Sequence, residues 1–266
     1  METIEYTCAD GVATIALNRP EARNALGAPV VAELDALLGQ ITRDDTVRAV
    51  ILTGRGGVFC AGGDVRSMHA APRSAQTWRA GMRRAHRIVR ALHGLDRPVI
   101  AAVDGAAFGA GFSLALLADI VLVSTRARFC MAFSRVGLVP DYGAMYTLPR
   151  SVGLQRAKEL IFSAREVGAE EAVALGLALE MLEPQALMDR AKALALSLAG
   201  ASAEALAVAK DGLQASLGSD LETMLQIEAS GQGIAGTAEH ALDAFGRFAR
   251  KEPPRFQWPA APAAKG

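Results

Sequence analysis

The chain of 266 residues carries 28 Lys plus Arg and 28 Asp plus Glu, and 51% of its residues are hydrophobic. This length is enough for one large domain or two, with a substantial buried core. The balanced charge excludes a global field that would attract nucleic acid or an anionic membrane, so any contact with a polyanion must be local.

The N-terminal segment predicts a β-hairpin followed by a helix and a strand. The alternating stretches TIEYTC (3–8) and VATIALN (12–18) flank the Asp-Gly pair at 10–11, which favours a tight two-residue turn. Residues 28–43 carry apolar side chains at helical spacing, and VRAVILTG (47–54) has the composition of a buried strand. We therefore expect a ββα unit that leads into another strand.

Strands and helices continue to alternate through the middle of the chain. The predicted elements are a helix over 74–94, a strand over 98–103, a helix over 109–118 and a strand over 119–123. Such alternation is typical of an α/β domain. Asp104 and Asp119 interrupt the apolar stretch 98–124, so no membrane span is expected there.

From about residue 153 the strand signals stop, and patterns rich in Ala and Leu predict helices. These patterns cover 154–163, 185–199, 202–216, 220–229 and 237–250. We predict an α/β core over 1–195 and a helical C-terminal region over 196–266.

The cysteines and the first residues indicate the cellular compartment in which the protein is expected. Cys8, Cys60 and Cys130 are scattered and lack metal-binding spacing, which suits reduced thiols in a cytoplasmic protein. The first residues, METIEYTCADG, lack an apolar stretch followed by a cleavage site, so no signal peptide is expected. The four histidines also lack metal spacing, and we predict no metal site.

Two glycine-rich stretches are candidates for a binding site built from backbone amides. In FCAGGDV (59–65), adjacent glycines let N–H groups point into a cavity without obstruction by side chains. In DGAAFGAGFSLALLAD (104–119), a small-residue loop leads into a helix near Ala110, where exposed amides favour a developing anion. Neither stretch fits a phosphate-binding motif, and Ser113 lacks the GxSxG context of a nucleophile.

The stretch SRVGLVPDYGAM (134–145) places Asp141 directly after a proline, at the end of an apolar run. One interpretation is a turn former, because Asp side chains commonly cap their own backbone in loops. The other is a general acid/base in an apolar pocket, whose surroundings raise its pKa toward a useful value.

The helix WRAGMRRAHRIVR (78–90) places four arginines on one face, Arg79, Arg83, Arg87 and Arg90. A stripe of this kind can follow the phosphates of a nucleic acid. Without interleaved aromatic residues, and in a neutral chain, a solvated or subunit-facing stripe is the favoured interpretation.

In their order along the chain, LNRPEARNAL, FCAGGDV, AAVDGAAFGAGFSLALLADI and FSRVGLVPDYG resemble the enoyl-CoA hydratase/isomerase (crotonase) superfamily. The similarity covers nearly the whole chain. It implies an α/β fold, a spiral of ββα units followed by a helical region that mediates homotrimers, often paired into hexamers. It also implies an acyl-CoA thioester substrate, with CoA carried by the substrate and no separate cofactor.

The resemblance assigns the site residues by motif position. Two backbone amides that bind the thioester carbonyl fall on Gly63 and Ala110. Contacts to CoA fall on Arg23, Ala25, Ala61, Gly62, Asp64, Phe248 and Lys251.

Departures from the family pattern concern the acids. Family hydratases activate water with two glutamates, whose positions here hold Ser113 and Phe133. Members that shift a double bond often carry their single acid where this chain has Asp141. The resemblance therefore favours an enoyl-CoA isomerase. A hydratase with substituted acids and a non-catalytic acyl-CoA-binding protein stay open, as does a substrate hydrogen bond from Tyr142.

Overall fold

A computed structural model of the chain describes residues 1–69 and 74–260. The strands in this part are β1 Ile4–Ala9, β2 Val12–Leu17, β3 Ala49–Gly54, β4 Val99–Val103, β5 Ala106–Phe108, β6 Ile120–Ser124, β7 Arg128–Cys130, β8 Glu166–Gly168 and β9 Glu180–Leu182. The helices are α1 Ala28–Ile41, α2 Val65–His69, α3 Ala75–His93, α4 Ala110–Ala115, α5 Ala144–Val152, α6 Leu154–Ser163, α7 Ala169–Ala174, α8 Pro184–Ala199, α9 Ala203–Ser216, α10 Leu221–Thr237 and α11 Glu239–Ala249.

Two sheets organise the fold. The larger has the order β1-β2-β3-β4-β6-β9, and the smaller has the order β5-β7-β8. In the larger sheet β1 and β2 form the predicted antiparallel hairpin, and the other neighbouring strands are parallel. Asp10 and Gly11 both have positive φ angles, 52° and 75°, as a tight primed turn requires. The predicted α/β class is confirmed.

The larger sheet is covered on both faces, which explains the continuous apolar run of β3. Val50 and Leu52 point into a core shared with α1, α3 and α4. Ala49 and Ile51 point into a second core on the opposite face, shared with α8. Successive side chains of a strand alternate between faces, so a strand buried on both sides lacks polar positions.

Two short strands lie beyond residue 153, where the sequence predicted helices alone. β9 adds to the edge of the large sheet by pairing in parallel with β6, and β8 pairs antiparallel with β7. Each is three residues long, too short for a periodic pattern, and exists because a partner strand provides hydrogen bonds.

Helix α10 continues to Thr237, beyond the predicted end at residue 229. The glycines that suggested an early end include Gly231, where a Cβ would lie 2.5 Å from Val208 Cγ1 of α9. This glycine permits close packing of α10 on α9, so tertiary contact outweighs its low helix propensity.

The C-terminal helices are tied to the core by charged groups. Lys210 of α9 contacts Asp119 at 2.8 Å. Arg190 of α8 pairs with Glu180 and donates to the carbonyls of Pro259 and Ala260, which fastens the tail to α8. The predicted boundary at residue 195 lies within α8, and the division into two regions stays a prediction. Across the described residues no single helix meets the length and apolarity needed to cross a membrane; α8 and α9 do so jointly, but with a 108° bend between them.

Candidate active site

A cavity of about 700 Å³ lies between the N-terminal ends of α1, α3 and α4 and the loop before α5. Among the predicted site residues, Gly63, Asp64, Ala110 and Asp141 line it, together with Tyr142. The rest of the described lining comprises Glu2, Thr3, Arg19, Leu26, Gly27, Ala28, Pro29, Val31, Ser67, Met68, Thr77, Trp78, Gly81, Met82, Arg84 and Ala85. Residues far apart in the sequence therefore meet at one concave site.

Close backbone contact joins the two glycine-rich stretches. Gly62 has a φ of +96°, and a Cβ there would lie 2.6 Å from the carbonyl oxygen of Phe108. A Cβ on Gly111 would lie 2.2 Å from the carbonyl oxygen of Cys60. Only glycine fits either position, so these residues let the 60–63 loop lie directly against the start of α4.

The amides of Gly63 and Ala110 are available to a ligand. Within residues 1–69 and 74–260, neither N–H donates a hydrogen bond to a protein atom, whereas the neighbouring Gly109 amide binds Cys130 O at 2.8 Å. Both residues line the cavity and belong to segments in direct contact. Two such donors suit an oxygen that gains negative charge during a reaction.

Asn24 stabilises the loop that carries Gly63 through buried hydrogen bonds. Its fully buried side chain accepts from the Arg19 amide at 2.8 Å and donates to the carbonyls of Arg55 and Val58 at 2.9 and 2.7 Å. The Ala61 amide also donates to the Arg23 carbonyl at 3.0 Å. The LNRPEARNAL motif is thus a scaffold for the loop that carries Gly63, a structural role of Asn24 that the sequence analysis missed.

Asp141 is half-buried, and its Oδ1 is a buried atom without a hydrogen-bond partner in the described part of the chain. Burial raises its pKa to about 6, because a desolvated carboxylate is unfavourable. The turn at this point is closed by the backbone, through the Ala144 amide and the Asp141 carbonyl at 3.0 Å. The geometry therefore favours a carboxyl that exchanges a proton near neutral pH over a side chain that caps a turn.

Tyr142 follows Asp141 in a left-handed backbone conformation, with φ of 48°, and its side chain is buried. Burial, and then the nearby charge of Asp141, raise the pKa of its hydroxyl above the ordinary value. Tyr142 is therefore a neutral phenol that lines the cavity beside the acid.

The two positions that hold glutamates in family hydratases are Ser113 and Phe133 in this chain, and neither side chain is an acid. Ser113 is fully buried, and its Oγ donates to the Gly109 carbonyl at 3.2 Å, within α4 and its cap. Phe133 is buried, with its ring close to Gly109. Neither lines the cavity. Asp64 does line the cavity. Its side chain accepts a hydrogen bond from the Ser67 amide at 3.2 Å and so caps α2.

The residues predicted to contact CoA fall into two groups. The carbonyls and amides of Arg23, Ala61 and Gly62 belong to the hydrogen-bonded loops beside Gly63, with Ala25 buried next to them. Phe248 and Lys251, at the end of α11, are exposed and do not line the cavity. For both groups contact with CoA stays a prediction.

The arginine stripe lies on the solvent side of α3, which packs on α1 through Ala85, Ile88 and Leu92. Arg87 pairs with Asp35 at 2.6 Å. The cavity side of the same helix carries Trp78 and Met82, which the sequence analysis did not assign to the site. Their spacing of four residues on α3 was the available signal.

No group of three or more His, Cys, Asp or Glu side chains among residues 1–69 and 74–260 is arranged to hold a metal ion.

Comparison with known proteins points to one family and one fold. The family profile described as Enoyl-CoA hydratase/isomerase matches residues 7–259. The "Probable enoyl-CoA hydratase" of Rhodobacter capsulatus is 38% identical over 96% of this chain and 97% of its own length. The "1,2-epoxyphenylacetyl-CoA isomerase" of Escherichia coli is 37% identical over 96% and 98%. The crystal structure of an enoyl-CoA hydratase/isomerase from Cupriavidus metallidurans matches with a TM-score of 0.94, 43% identity and coverage of 98% and 99%. The crotonase-like fold is therefore confirmed.

The raised pKa of Asp141 leads to a prediction about stability. The carboxyl keeps its proton up to about pH 6 in the folded state, whereas the unfolded chain releases it from about pH 4. The folded state is therefore destabilised progressively between these values, by up to about 3 kcal/mol above pH 6. We expect Asp141→Asn to gain stability over the parent as pH rises from 4 to 8.

Urea unfolding of both proteins at several pH values measures this difference. Asp189→Asn is the matched control, because Asp189 lies exposed on α8 and its side chain forms no ion pair within the described residues. A difference between parent and Asp141→Asn that stays constant from pH 4 to pH 8 would contradict a buried, high-pKa carboxyl.

Proposed function

Because this chain belongs to the enoyl-CoA hydratase/isomerase family and is an enzyme of that family, we propose that it shifts a double bond within an acyl-CoA thioester. Asp141 carries the proton. The observation that supports this most is that one cavity brings together the buried Oδ1 of Asp141 and the amides of Gly63 and Ala110, none of which has a protein partner within residues 1–69 and 74–260. An isomerase needs that combination and no more.

The proposed reaction proceeds through an enolate. The thioester oxygen accepts hydrogen bonds from the amides of Gly63 and Ala110, and the Asp141 carboxylate removes a proton from the α-carbon of a 3-enoyl thioester. Electrons of the broken C–H bond enter the conjugated enolate, whose oxygen charge each donor stabilises by about 3 kcal/mol. The same carboxyl then returns the proton to the γ-carbon, which completes the shift without net loss of any atom.

The pKa of Asp141, about 6, suits both halves of this cycle. A carboxyl with this value is largely ionised at neutral pH and is a stronger base than an exposed aspartate. Its conjugate acid is still able to give the proton back, because the ideal catalytic pKa lies near the working pH.

Hydration is the second candidate function. It is favoured by the names of two relatives, the "Probable enoyl-CoA hydratase" and a "Short-chain-enoyl-CoA hydratase" of Clostridium acetobutylicum that is 35% identical. Ser113 and Phe133 oppose it, since neither is a base at neutral pH and neither lines the cavity. A protein that binds acyl-CoA without turnover is the third candidate.

We also propose that the chain acts as a homotrimer, or as a hexamer of two trimers, in the cytoplasm. Large apolar side chains are exposed on the C-terminal helices, namely Leu213, Leu217, Leu221, Leu225, Ile234, Leu242, Phe245 and Phe248. Such an accumulation marks a surface that another chain covers. Sedimentation equilibrium is expected to give the mass of three or six chains, and a monomer at micromolar concentration would contradict the proposal.

Replacement of the acid tests the catalytic role directly. Asp141→Asn is expected to bind acyl-CoA like the parent but to lower the rate of 3-enoyl-CoA isomerisation by about 10²–10⁴-fold, because the general base is lost. Incorporation of solvent deuterium at the α- and γ-carbons, followed by mass spectrometry, measures the proton transfer. The parental rate of isomerisation is expected to rise with pH through about 6, where Asp141 ionises.

Asp189→Asn is again the control for an Asp to Asn change at an exposed site. Parental deuterium exchange by Asp141→Asn would disprove the role of Asp141. Hydration of crotonyl-CoA that survives this substitution would favour the hydratase. Binding by the parent with neither isomerisation nor exchange would favour the binding protein.

The amide of Gly63 is tested by a pair of substitutions. Gly63→Pro removes the N–H group, and we expect a loss of about 10²–10³-fold in kcat, typical of a missing oxyanion donor. Gly63→Ala keeps the N–H, and its Cβ would meet only the mobile methyl of Met68, at 2.8 Å. Gly63→Ala should therefore retain most of the activity, and equal losses in both variants would argue against a role for the amide.

A further inference from the structure

Gly81 is a glycine in the interior of α3 that lines the cavity. Its backbone is helical, and it is not among the residues with positive φ. A Cβ built on it would have no heavy atom of the described residues within 4 Å. Neither backbone conformation nor packing within that part of the chain therefore requires glycine here.

This absence of a structural reason sets Gly81 apart from other glycines at the site. Gly62 and Gly111 sit where a Cβ would collide with a carbonyl oxygen, and Gly231 sits where two helices touch. A glycine in a helix interior lowers helix stability relative to alanine. At Gly81 the result is space beside the cavity that no heavy atom of residues 1–69 and 74–260 fills within 4 Å.

The wall around this space is mixed, because Thr77 and Arg84 of α3 line the cavity together with an apolar, partly aromatic set. Trp78, Met82 and Ala85 lie three, one and four residues from Gly81, on the same side of α3. Met68 of α2 continues the wall toward the reactive end, because its methyl lies within 2.8 Å of the point where a Cβ on Gly63 would stand. Met68, Trp78, Met82 and Ala85 thus form the apolar part of a lining that extends from Gly63 to Gly81 and also holds Ser67 and Thr77.

We propose that Gly81 sets the width of the acyl subsite and that the gap takes an acyl group bearing a ring. The inference rests on the proposed function for the identity of the ligand as a CoA thioester. A flat ring gains favourable contact with the indole of Trp78 and with the polarisable sulfurs of Met68 and Met82. A linear chain is narrow enough to pass without occupying the gap.

Binding of saturated thioesters tests the subsite without dependence on the isomerase reaction. The probes are phenylacetyl-CoA, octanoyl-CoA and butyryl-CoA, titrated calorimetrically into the parent and into Gly81→Ala and Gly81→Leu. Since a leucine side chain would occupy the gap, we expect Gly81→Leu to weaken phenylacetyl-CoA at least about tenfold, the scale of a steric mismatch in an apolar pocket. Octanoyl-CoA and butyryl-CoA should change less than about threefold, and Gly81→Ala should lie between parent and Gly81→Leu.

Gly39→Leu is the matched control for leucine in a helical glycine position. It lies in α1, outside the cavity lining, and a Cβ there would meet only the tip of Arg43 at 3.7 Å. Its affinities should equal those of the parent, and far-ultraviolet circular dichroism checks that each variant is folded. If Gly81→Leu fails to fold, the smaller Gly81→Ala change carries the comparison, with a selective weakening of phenylacetyl-CoA expected.

Equal weakening of all three thioesters, or an unchanged affinity for phenylacetyl-CoA, would overturn the proposal. Failure of the proposed function has a different signature. In that case the parent neither isomerises nor exchanges protons with any enoyl thioester, while binding still discriminates by ring and by the residue at position 81.

Discussion

The site depends on a contact between two backbone segments that is closer than side chains permit. Gly62 and Gly111 allow the 60–63 loop to lie against the start of α4, where Cβ atoms would otherwise collide with carbonyl oxygens at 2.6 and 2.2 Å. Asn24 secures the loop with three buried hydrogen bonds. Since packing has already oriented the amides of Gly63 and Ala110, they need little reorganisation when charge develops on a bound oxygen.

One carboxylate lowers the stability of the fold, whereas others form ion pairs. Asp119 pairs with Lys210, and the half-buried Glu180 pairs with Arg190. Asp141 Oδ1 is, by contrast, the one buried polar side-chain atom without a partner in the described residues. A destabilising, high-pKa carboxyl in a cavity is typical of a functional group, because ordinary selection for stability would have paired or removed it.

In the proposed function, chemistry and selectivity come from different parts of the cavity. Backbone amides and one acid at the reactive end are suited to any thioester, whereas the wall formed by α2 and α3 carries large side chains, Met68, Trp78 and Met82 among them. In the proposed function Asp141 is the one catalytic acid, because Ser113 and Phe133 stand where the family hydratases carry glutamates. This division explains how a shared fold supports both hydratases and isomerases among the relatives.

Local sequence was sufficient for the hairpin at Asp10-Gly11, for β3 and for most helices, because turn chemistry and periodic apolar residues act over short distances. Strands β8 and β9 and the length of α10 required tertiary contacts with β7, β6 and Val208, which no local pattern encodes. The sequence alone placed an acid at residue 141 and glycines at 62, 63 and 111. Only folding decided that Asp141 is desolvated and that Trp78 and Gly81 face the same cavity, because both properties arise from segments distant in the chain.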